Sequence, residues 1–495
     1  MVGLASPSNP PIFVATTGAG TPLPNQTVLV STSGRCQLVD VTGALVTRIN
    51  YVSDVNGEVI PNVRLPTGTV GAGCAIHASG NAFTTARDSA LLAVYPVNST
   101  HIWTGVATTD WATAANWIGP GNAAVSAAPG SLDQVFVPNY VTIFRPPVLS
   151  GVVAVSRLAL DTLAVVDINQ KLLTIGSLGV TGLGRMINGR INLLTTASLA
   201  GFFDKLEIGQ TGLCGGMMGT LTQVVAITLD VFCAARIDTS VVAVRTDIVV
   251  HSNGGGFSLT QPGAGIIVSG NAQFMGDSLY STGGNIVVNG NATFGGTTVN
   301  VTGGLFNLTN NAFFTSAAAT YTNARLSIGG SAEFGGGITG VQLFAGGTLS
   351  VSGSFDQMPG ASPATFTTSS DHVTQFTGAF TQSISSINTQ SFFSVLKLQN
   401  TSVGGVVVLD SARTVNGTAQ PRVQLLSGKL TLNPGARFFA SGGVVLGSGT
   451  NLDLLASSNF QITNGNCTGR TTNSATITGP GTFNGSPYTA LTCTP

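Results

Sequence analysis

Apolar and polar positions alternate in short runs along nearly the whole chain, and Gly, Asn and Ser separate the runs. A period of two residues that is interrupted by turn residues predicts short β-strands. Leu172–Gly209 and Val423–Ile462 have this strand–turn–strand pattern. The β-branched residues of Ser156–Val166 and Thr222–Arg236 favour strands over helices there too. The pattern therefore predicts an all-β chain.

A five-residue pattern recurs every 20 residues in the middle of the chain. It reads GNAQF at Gly270–Phe274, GNATF at Gly290–Phe294, NNAFF at Asn310–Phe314 and GSAEF at Gly330–Phe334. A fixed period of this length is typical of the coils of a solenoid. We therefore predict a parallel β-solenoid with about 20 residues per coil, whose regular repeats extend over residues 265–355.

Equivalent residues of such coils are expected to stack on one another at a spacing of about 4.8 Å. The repeated phenylalanines then form an aromatic core ladder: Phe274, Phe294, Phe314 and Phe334. The repeated aliphatic residues form a second ladder: Val268, Val288, Leu308 and Ile328. The repeated asparagines fall at a corner, where asparagine tolerates left-handed backbone and hydrogen-bonds to its own stack: Asn271, Asn291 and Asn311.

The repeat also divides the chain. Residues 1–100 lack it and contain many prolines, which predicts a separate β-rich domain or an N-terminal attachment region. Residues 101–463 are predicted to form the β-helix. A solenoid needs covered ends because its last strand edges are otherwise exposed. We therefore predict that residues 464–495 form a C-terminal cap.

Six cysteines occur as three couples that are local in sequence: Cys36 and Cys74, Cys214 and Cys233, Cys467 and Cys493. An even number of cysteines in an extracellular chain favours disulfides, and these couples are the simplest of the possible pairings. Six buried free thiols are the alternative. The sequence contains no Cys-x-x-Cys, so we predict neither a zinc site nor a thioredoxin-like redox site.

Charge is scarce in this chain. Charged residues make up 8% of it and the formal net charge is zero, whereas about 25% is average. Nucleic acid and anionic membranes are poor partners for such a chain, and no apolar run reaches the about 18 residues of a membrane helix. We therefore predict no nucleic-acid partner and no membrane span. Ser, Thr and Asn, glycans, or neighbouring subunits must then cover the surface.

The start of the chain lacks the basic and apolar regions of a secretory signal. Two interpretations remain open: a signal that was removed, or a protein that leaves its cell by another route, such as inside a virus particle. Glycosylation would depend on that source. Asn-x-Ser/Thr sequons give nine candidate positions: Asn25, Asn98, Asn291, Asn300, Asn307, Asn400, Asn416, Asn466 and Asn484.

Acidic residues are too few and too scattered to predict an enzyme. Enzymes of the β-helix fold need carboxylates clustered on one face, and this chain has 16 Asp and 3 Glu. Asp204–Glu207 is interpreted as a solvated charge patch, and the charges of Arg236–Asp247 as ion pairs between neighbouring coils.

Other catalytic and cofactor motifs are absent as well. The four histidines lie far apart in sequence: His77, His101, His251 and His372. The glycine-rich segments Gly212–Gly219 and Ser252–Leu259 lack the ending of a phosphate loop, so we interpret them as turns. We predict no catalytic residue, no metal site and no cofactor.

Residues His101–Pro138 contain all three tryptophans, in a pattern that reads W-x-G, W, A-x-N-W and D-x-V-x-V-P. Six positions carry this pattern: Trp103, Trp111, Asn116, Trp117, Asp133 and Pro138. The segment resembles the entry motif of repetitive bacterial surface proteins of autotransporter and adhesin type. The resemblance implies that a right-handed parallel β-helix begins here. The cysteines depart from the bacterial pattern, so a viral source stays open.

A second segment, Val373–Gly417, resembles a repeat of large secreted β-solenoid proteins. Eight residues fit that repeat: Phe376, Gly378, Gln382, Ile384, Phe393, Leu396, Leu398 and Asn400. Together the two resemblances cover less than a fifth of the chain, and they specify architecture better than role, because this fold carries adhesins, tail spikes and sugar-cleaving enzymes alike.

The sequence favours a non-enzymatic structural or adhesive β-solenoid of a cell surface, an extracellular fibre or a virion shell. Its expected partners are copies of itself, other surface or shell proteins, or host glycans. The alternative is a polysaccharide lyase or glycoside hydrolase on the same fold. A third hypothesis, binding to ice or a crystal, rests on threonines near Thr293–Thr302 whose rows do not persist in the other repeats.

Overall fold

β-Strands form almost the whole chain, and helix is limited to short 3-10 turns at Ala114–Asn116 and Pro120–Asn122 in the part that is described. This confirms the predicted all-β class. The structure is a computed structural model. It describes residues 4–5, 11–17, 19–34, 36–64, 73–80, 87–93, 96, 98–138, 145–193, 198–209, 218–252, 254–335, 341–358, 365–369, 372–385, 392–414, 422–464, 467–468, 475–483 and 486–487.

The chain divides into two units, Met1–Glu207 with Gln223–Ala226, and Ile208–Thr222 with Ile227–Pro495. The first nineteen strands are β1 (Leu4–Ala5), β2 (Phe13–Val14), β3 (Thr27–Gly34), β4 (Gln37–Val39), β5 (Leu45–Val46), β6 (Arg48–Val52), β7 (Glu58–Val59), β8 (Val63–Arg64), β9 (Gly73–Gly80), β10 (Arg87–Ala93), β11 (His101–Trp103), β12 (Trp117–Ile118), β13 (Gln134–Val137), β14 (Val153–Leu160), β15 (Val165–Asp167), β16 (Leu172–Gly182), β17 (Arg185–Ile187), β18 (Arg190–Leu193) and β19 (Ser198–Ile208).

Pairing changes character at His101 within the first unit. Before it, strands pair mainly antiparallel, as in the five-stranded sheet of order β1-β10-β9-β3-β6, around a small core that includes Val30, Leu38 and Ile76. After it, β13, β14 and β16 pair parallel, one coil apart. The first unit thus contains both an antiparallel N-terminal part and solenoid coils. The domain boundary at residue 100 stays a prediction.

The remaining strands are β20 (Met218–Val231), β21 (Ala234–Ile237), β22 (Val241–Val244), β23 (Ile248–Val250), β24 (Gly256–Leu259), β25 (Gly265–Val268), β26 (Ala272–Phe274), β27 (Ser278–Thr282), β28 (Asn285–Val288), β29 (Ala292–Phe294), β30 (Thr298–Thr302), β31 (Leu305–Leu308), β32 (Ala312–Phe314), β33 (Ala318–Thr322), β34 (Arg325–Ile328), β35 (Ala332–Phe334), β36 (Val341–Ala345), β37 (Thr348–Val351), β38 (Phe355–Gln357), β39 (Thr367–Thr368), β40 (Val373–Phe376), β41 (Gln382–Ser385), β42 (Val395–Gln399), β43 (Val406–Val408), β44 (Ser411–Arg413), β45 (Val423–Ser427), β46 (Lys429–Leu432), β47 (Arg437–Ser441), β48 (Val444–Leu446), β49 (Asn451–Leu454), β50 (Asn459–Asn464), β51 (Cys467–Thr468), β52 (Thr476–Thr478), β53 (Thr482–Phe483) and β54 (Ser486–Pro487).

Three parallel strands per coil stack on their equivalents one coil along in the second unit. The register is 20 residues from β25 to β35, for example Gly265 opposite Asn285. It lengthens to 23 residues at Arg325 opposite Thr348 and to 29 at Phe355 opposite Ile384. The average is about 22 residues per turn. The predicted period of 20 therefore holds in the regular coils only, because additional residues between strands leave the strand register intact.

Aromatic rings stack in the core of these coils. The rings of Phe274 and Phe294, Phe294 and Phe314, and Phe314 and Phe334 have centroids 5.6, 5.4 and 4.8 Å apart and planes within 15° of parallel. Phe355 extends the row at 4.8 Å from Phe334. The four residues of the aliphatic ladder are likewise buried and in register. Inward side chains of every coil therefore continue those of the coil before it.

The C-terminal strands continue the stacks before the chain folds back. β51 and β52 pair parallel with β48 and β49, and β54 pairs antiparallel with β53. The assignment of residues 464–495 as a cap stays a prediction.

Candidate functional site

One corner of the coils is held by side chains that bind the backbone of the next coil. A side-chain oxygen of one coil accepts a hydrogen bond from the backbone N–H of the next at 2.6–3.1 Å. We call this row the corner ladder; its members are Asp247, Asn271, Asn291, Asn311, Ser331 and Ser354. It satisfies backbone donors where the strand pairing is interrupted.

The backbone of the corner asparagines differs from the prediction. Asn271, Asn291 and Asn311 do not have the left-handed conformation that was expected of them; Asn323, at another corner, does, with φ of 53°. The amides are used instead as bridges between coils. Their role is therefore to connect the stack rather than to permit a special turn.

One face of the regular coils is uncharged and rich in hydroxyl groups. It consists of outward residues of β24, β27, β30 and β33 and of Thr260, and these strands contain no charged residue. We call it the hydroxyl face; its polar members are Ser258, Thr260, Ser278, Tyr280, Thr282, Thr298, Asn300, Thr302, Thr320 and Thr322. Inward residues of the same strands, such as Leu279 and Val299, are buried. The face is flat because its strands are parallel and in register.

Two carboxylates lie on neighbouring coils elsewhere on the surface. Glu333 of β35 is directly opposite Asp356 of β38, and both side chains are half-buried. Partial burial, and then the charge of Asp356, raises the pKa of Glu333. Burial also raises the pKa of Asp356. Outward neighbours in this row are Phe313 before the pair and Ser385 after it. A pair of carboxyl groups with raised pKa values is a recognised candidate for acid–base chemistry.

We expect Glu333→Gln to raise the thermal unfolding midpoint at neutral pH, because like charges opposite each other destabilise a sheet by about 0.2–1 kcal/mol. Above the ordinary pKa values, 4.5 for Glu333 and 3.8 for Asp356, the folded chain holds protons that the unfolded chain releases. Wild-type stability therefore falls as the pH rises through the raised folded values, and the advantage of the variant appears over the same window.

Thermal unfolding between pH 3.5 and 7 measures this dependence. Asp356→Asn and the double variant complete a mutant cycle that isolates the pairwise repulsion. If Glu333→Gln changes the midpoint equally at every pH, repulsion between the two carboxylates is not its cause.

The two charge clusters seen in the sequence are ion-paired. In the first unit Lys205 Nζ lies 3.0 Å from Glu207 Oε1, and Arg190 Nη1 lies 3.8 Å from the other oxygen of that carboxylate. In the second unit Arg236 Nε pairs with Asp238. Thr260 also donates to Asp238, and the hydrogen bonds from Thr260 and Arg236 lower the pKa of its carboxyl group. These arrangements are those of structural ion pairs.

The fold brings two histidines to partners that the sequence search did not find. His251 Nε2 lies 2.9 Å from Asp230 Oδ1, and its ring stacks on Phe232 with centroids 4.1 Å apart. In the N-terminal part, Ser33 Oγ lies 2.9 Å from His77 Nε2, and burial lowers the pKa of His77. Asp230 and His251 are 21 residues apart, about one coil, so the coil period was the signal that could have paired them.

The other two histidines have structural surroundings. His101 Nδ1 lies 3.3 Å from Asp133 Oδ1 at the first solenoid coil. His372 is buried, its Nδ1 is 2.7 Å from the carbonyl oxygen of Gly346, and burial lowers its pKa to about 4. Its ring centroid lies 5.2 Å from that of Phe344. His372 is therefore neutral and packed among core aromatics at neutral pH.

The tryptophan motif forms a packed cluster at the start of the coils. Trp117 packs edge-on against Trp103 and Trp111, with ring centroids 4.8 and 4.7 Å apart. Asn116 is fully buried. Its Oδ1 accepts from the backbone of residues 107 and 108, and its Nδ2 donates to the carbonyl oxygen of Asp110. These motif residues hold the irregular loop between β11 and β12.

The second motif ties coils together through buried amides. Gln382 Nε2 donates to the carbonyl oxygens of Val351 and Gly353 at 2.9 and 2.6 Å. Its Oε1 accepts from Asn400 Nδ2 at 2.7 Å, and that nitrogen also contacts the carbonyl oxygen of Phe380 at 2.7 Å. Both side chains are buried. The polar positions of this motif therefore satisfy the interior of the coil.

No described cysteine is a free thiol. Cys36, Cys233 and Cys467 are each disulfide-bonded. The side chains of the other three, Cys74, Cys214 and Cys493, lie outside the described residues, so no disulfide has both of its ends described. The three local pairings therefore stay a prediction.

The fold separates the candidate glycosylation sites by exposure. Five asparagines are exposed: Asn25, Asn98, Asn291, Asn300 and Asn307. Asn400 is fully buried and its Nδ2 is engaged in two hydrogen bonds, so the folded chain leaves no room for a glycan there. Asn416, Asn466 and Asn484 lie outside the described residues.

The described residues contain no group of three or more His, Cys, Asp or Glu side chains that could hold a metal ion. Within the same part of the chain, no helix has the length and apolarity to cross a bilayer.

The stacked parallel strands, aligned core residues and corner ladder together define a parallel β-solenoid repeat protein. No family model, curated protein or solved structure matches the chain.

Proposed function

We propose that this chain is a structural or adhesive β-solenoid that acts by self-assembly or by contact with a host glycan. The observation that carries the proposal is the uninterrupted register of the regular coils, in which core rings, strand pairs and the corner ladder all repeat every 20 residues. Such coils propagate a fixed surface along the stack, which is what a spacer, coat or adhesive element needs.

The low charge supports the same proposal. The hydroxyl face offers hydrogen-bonding groups without electrostatic repulsion between copies. Its partners would then be copies of the chain, other surface or shell proteins, or glycans. The corresponding location is a cell surface, an extracellular fibre or a virion shell, and a microbial and a viral source are both compatible with it.

Imaging of the native source with an antibody against the chain tests this proposal. Labelling of a fibre, a coat or a virion shell is the expected result. A chain found only in solution, and able to depolymerise members of a glycan panel, would overturn it.

The second candidate function is a polysaccharide lyase or glycoside hydrolase, and the observation that favours it is the carboxyl pair Glu333 and Asp356. Glycosidases use two carboxyl groups on either side of the bond to be cleaved, and one of them needs a raised pKa. Neighbouring strands place such residues about 5 Å apart, the order of separation found in retaining enzymes.

Reducing-end release and absorbance of unsaturated sugars, measured on a panel of neutral and acidic polysaccharides, test the enzyme hypothesis. If the hypothesis is correct, the wild type depolymerises one polymer and Glu333→Gln and Asp356→Asn each abolish the activity, while Gln273→Ala, at an outward position earlier in the same row, does not. Activity that survives both carboxyl substitutions excludes this pair as its source.

A further inference from the structure

The hydroxyl face displays one exposed aromatic ring. Tyr280 points outward from β27 and is 46% exposed. Its row across the coils consists of Ser258, Tyr280, Asn300 and Thr320, which are directly opposite one another in register. Because neighbouring parallel strands are about 4.8 Å apart, the positions next to the ring carry a hydroxyl on one side and an amide on the other.

The polar groups around this ring are available to a ligand. The side chains of Tyr280, Asn300, Thr302 and Thr320 have no hydrogen-bond partner among the described residues. Thr282 differs, because its hydroxyl donates to the carbonyl oxygen of Thr260 at 2.7 Å. The face therefore combines an aromatic platform with unpaired donors and acceptors on the two following coils.

The chemistry of this surface selects among partner classes. Strands β24, β27, β30 and β33 contain no charged residue, so they offer nothing that would attract a polyanion. A sugar ring has an apolar face that packs on an aromatic ring and hydroxyls that exchange hydrogen bonds with amides and hydroxyls. The polar positions repeat along the stack at constant spacing, which suits a linear polymer.

We propose that Tyr280, Asn300, Thr302 and Thr320 form a binding surface for a neutral, linear polysaccharide. The aromatic ring of Tyr280 supports one sugar unit, and the three polar side chains bind hydroxyls of the units that follow along the stack. This inference rests on the proposed adhesive function and specifies its partner by chemical class and its site by residue.

The full-length chain is mixed with insoluble cellulose, chitin, mannan and xylan, and the protein left in solution is measured against polymer concentration. We expect depletion by at least one of these polymers. Loss of a stacked aromatic contact is expected to weaken that binding about tenfold in Tyr280→Ala, and loss of neutral hydrogen bonds about threefold in Asn300→Ala. Tyr280→Phe keeps the ring and should retain most of the affinity.

Asn307→Ala is the matched control. Asn307 is exposed on β31, the next strand of the coil that contains Asn300, and lies outside the hydroxyl face. Its binding should equal that of the wild type. All of these side chains are exposed, so thermal unfolding midpoints should remain unchanged and a loss of binding should not reflect unfolding.

Four results would overturn the inference: no depletion by any neutral polymer, equal binding of Tyr280→Ala, preference for anionic alginate, or a glycan attached to Asn300 of the native chain. Sedimentation velocity identifies the competing occupant, a second copy of the chain. If Tyr280→Ala dissociates an oligomer without affecting polymer binding, the face is a self-contact. Failure here leaves the antibody imaging result untouched, so the two proposals fail separately.

Discussion

Replacing Phe314 by alanine is expected to lower the free energy of unfolding by about 3–5 kcal/mol, the range measured for aromatic-to-alanine changes in well-packed cores. Phe314 is fully buried. Its ring stacks between those of Phe294 and Phe334, and Tyr321 packs against it edge-on at 5.8 Å. The stacked coils above and below fix the positions of these neighbours, so the cavity cannot close by collapse and its full cost remains.

Phe313→Ala is the control for this prediction. Phe313 belongs to the same strand, but its side chain points outward and is only half-buried. Its truncation should cost about 1 kcal/mol or less, as for surface substitutions away from special features. Denaturant unfolding followed by circular dichroism compares the two variants. Equal losses would show that the ring ladder contributes no more than general apolar area.

The spacing of the phenylalanines was enough to predict the stacked coils. A residue that recurs every 20 positions, as Phe294 and Phe314 do, must occupy equivalent places if each coil is to bury it. The longer coils could not be predicted in the same way. Additional residues between Phe334 and Val341 lie outside the strand register, and corner residues carry no hydrophobic pattern that reports their number.

Neighbours across coils explain what the site analysis of the sequence missed. It searched for acidic residues adjacent in the chain, whereas Glu333 and Asp356 are adjacent in space and 23 residues apart in sequence. Asp230 and His251 are a second such pair. Exposure was also beyond the sequence: Asn300 and Asn400 have the same sequon, yet only the first is exposed.

Gly296→Ala is expected to destabilise the second unit by about 2–6 kcal/mol, as the sum of backbone strain and steric overpacking. Gly296 lies between β29 and β30 with φ of 95°, a conformation that residues with a side chain rarely adopt. A Cβ at this position would lie 1.9 Å from the carbonyl oxygen of Gly276 in the preceding coil. That oxygen belongs to the backbone of a stacked coil, so relief requires the coils to separate.

Gly303→Ala separates the two contributions, because Gly303 also has positive φ, 68°, but its Cβ would approach nothing closer than 3.6 Å. Its cost should be limited to the conformational penalty of about 1–2 kcal/mol. Thermal and denaturant unfolding of both variants, with soluble yield as a second readout, measures the difference. Equal destabilisation by the two substitutions would mean that close approach of successive coils does not limit the residue at position 296, and that backbone conformation alone selects glycine at both corners.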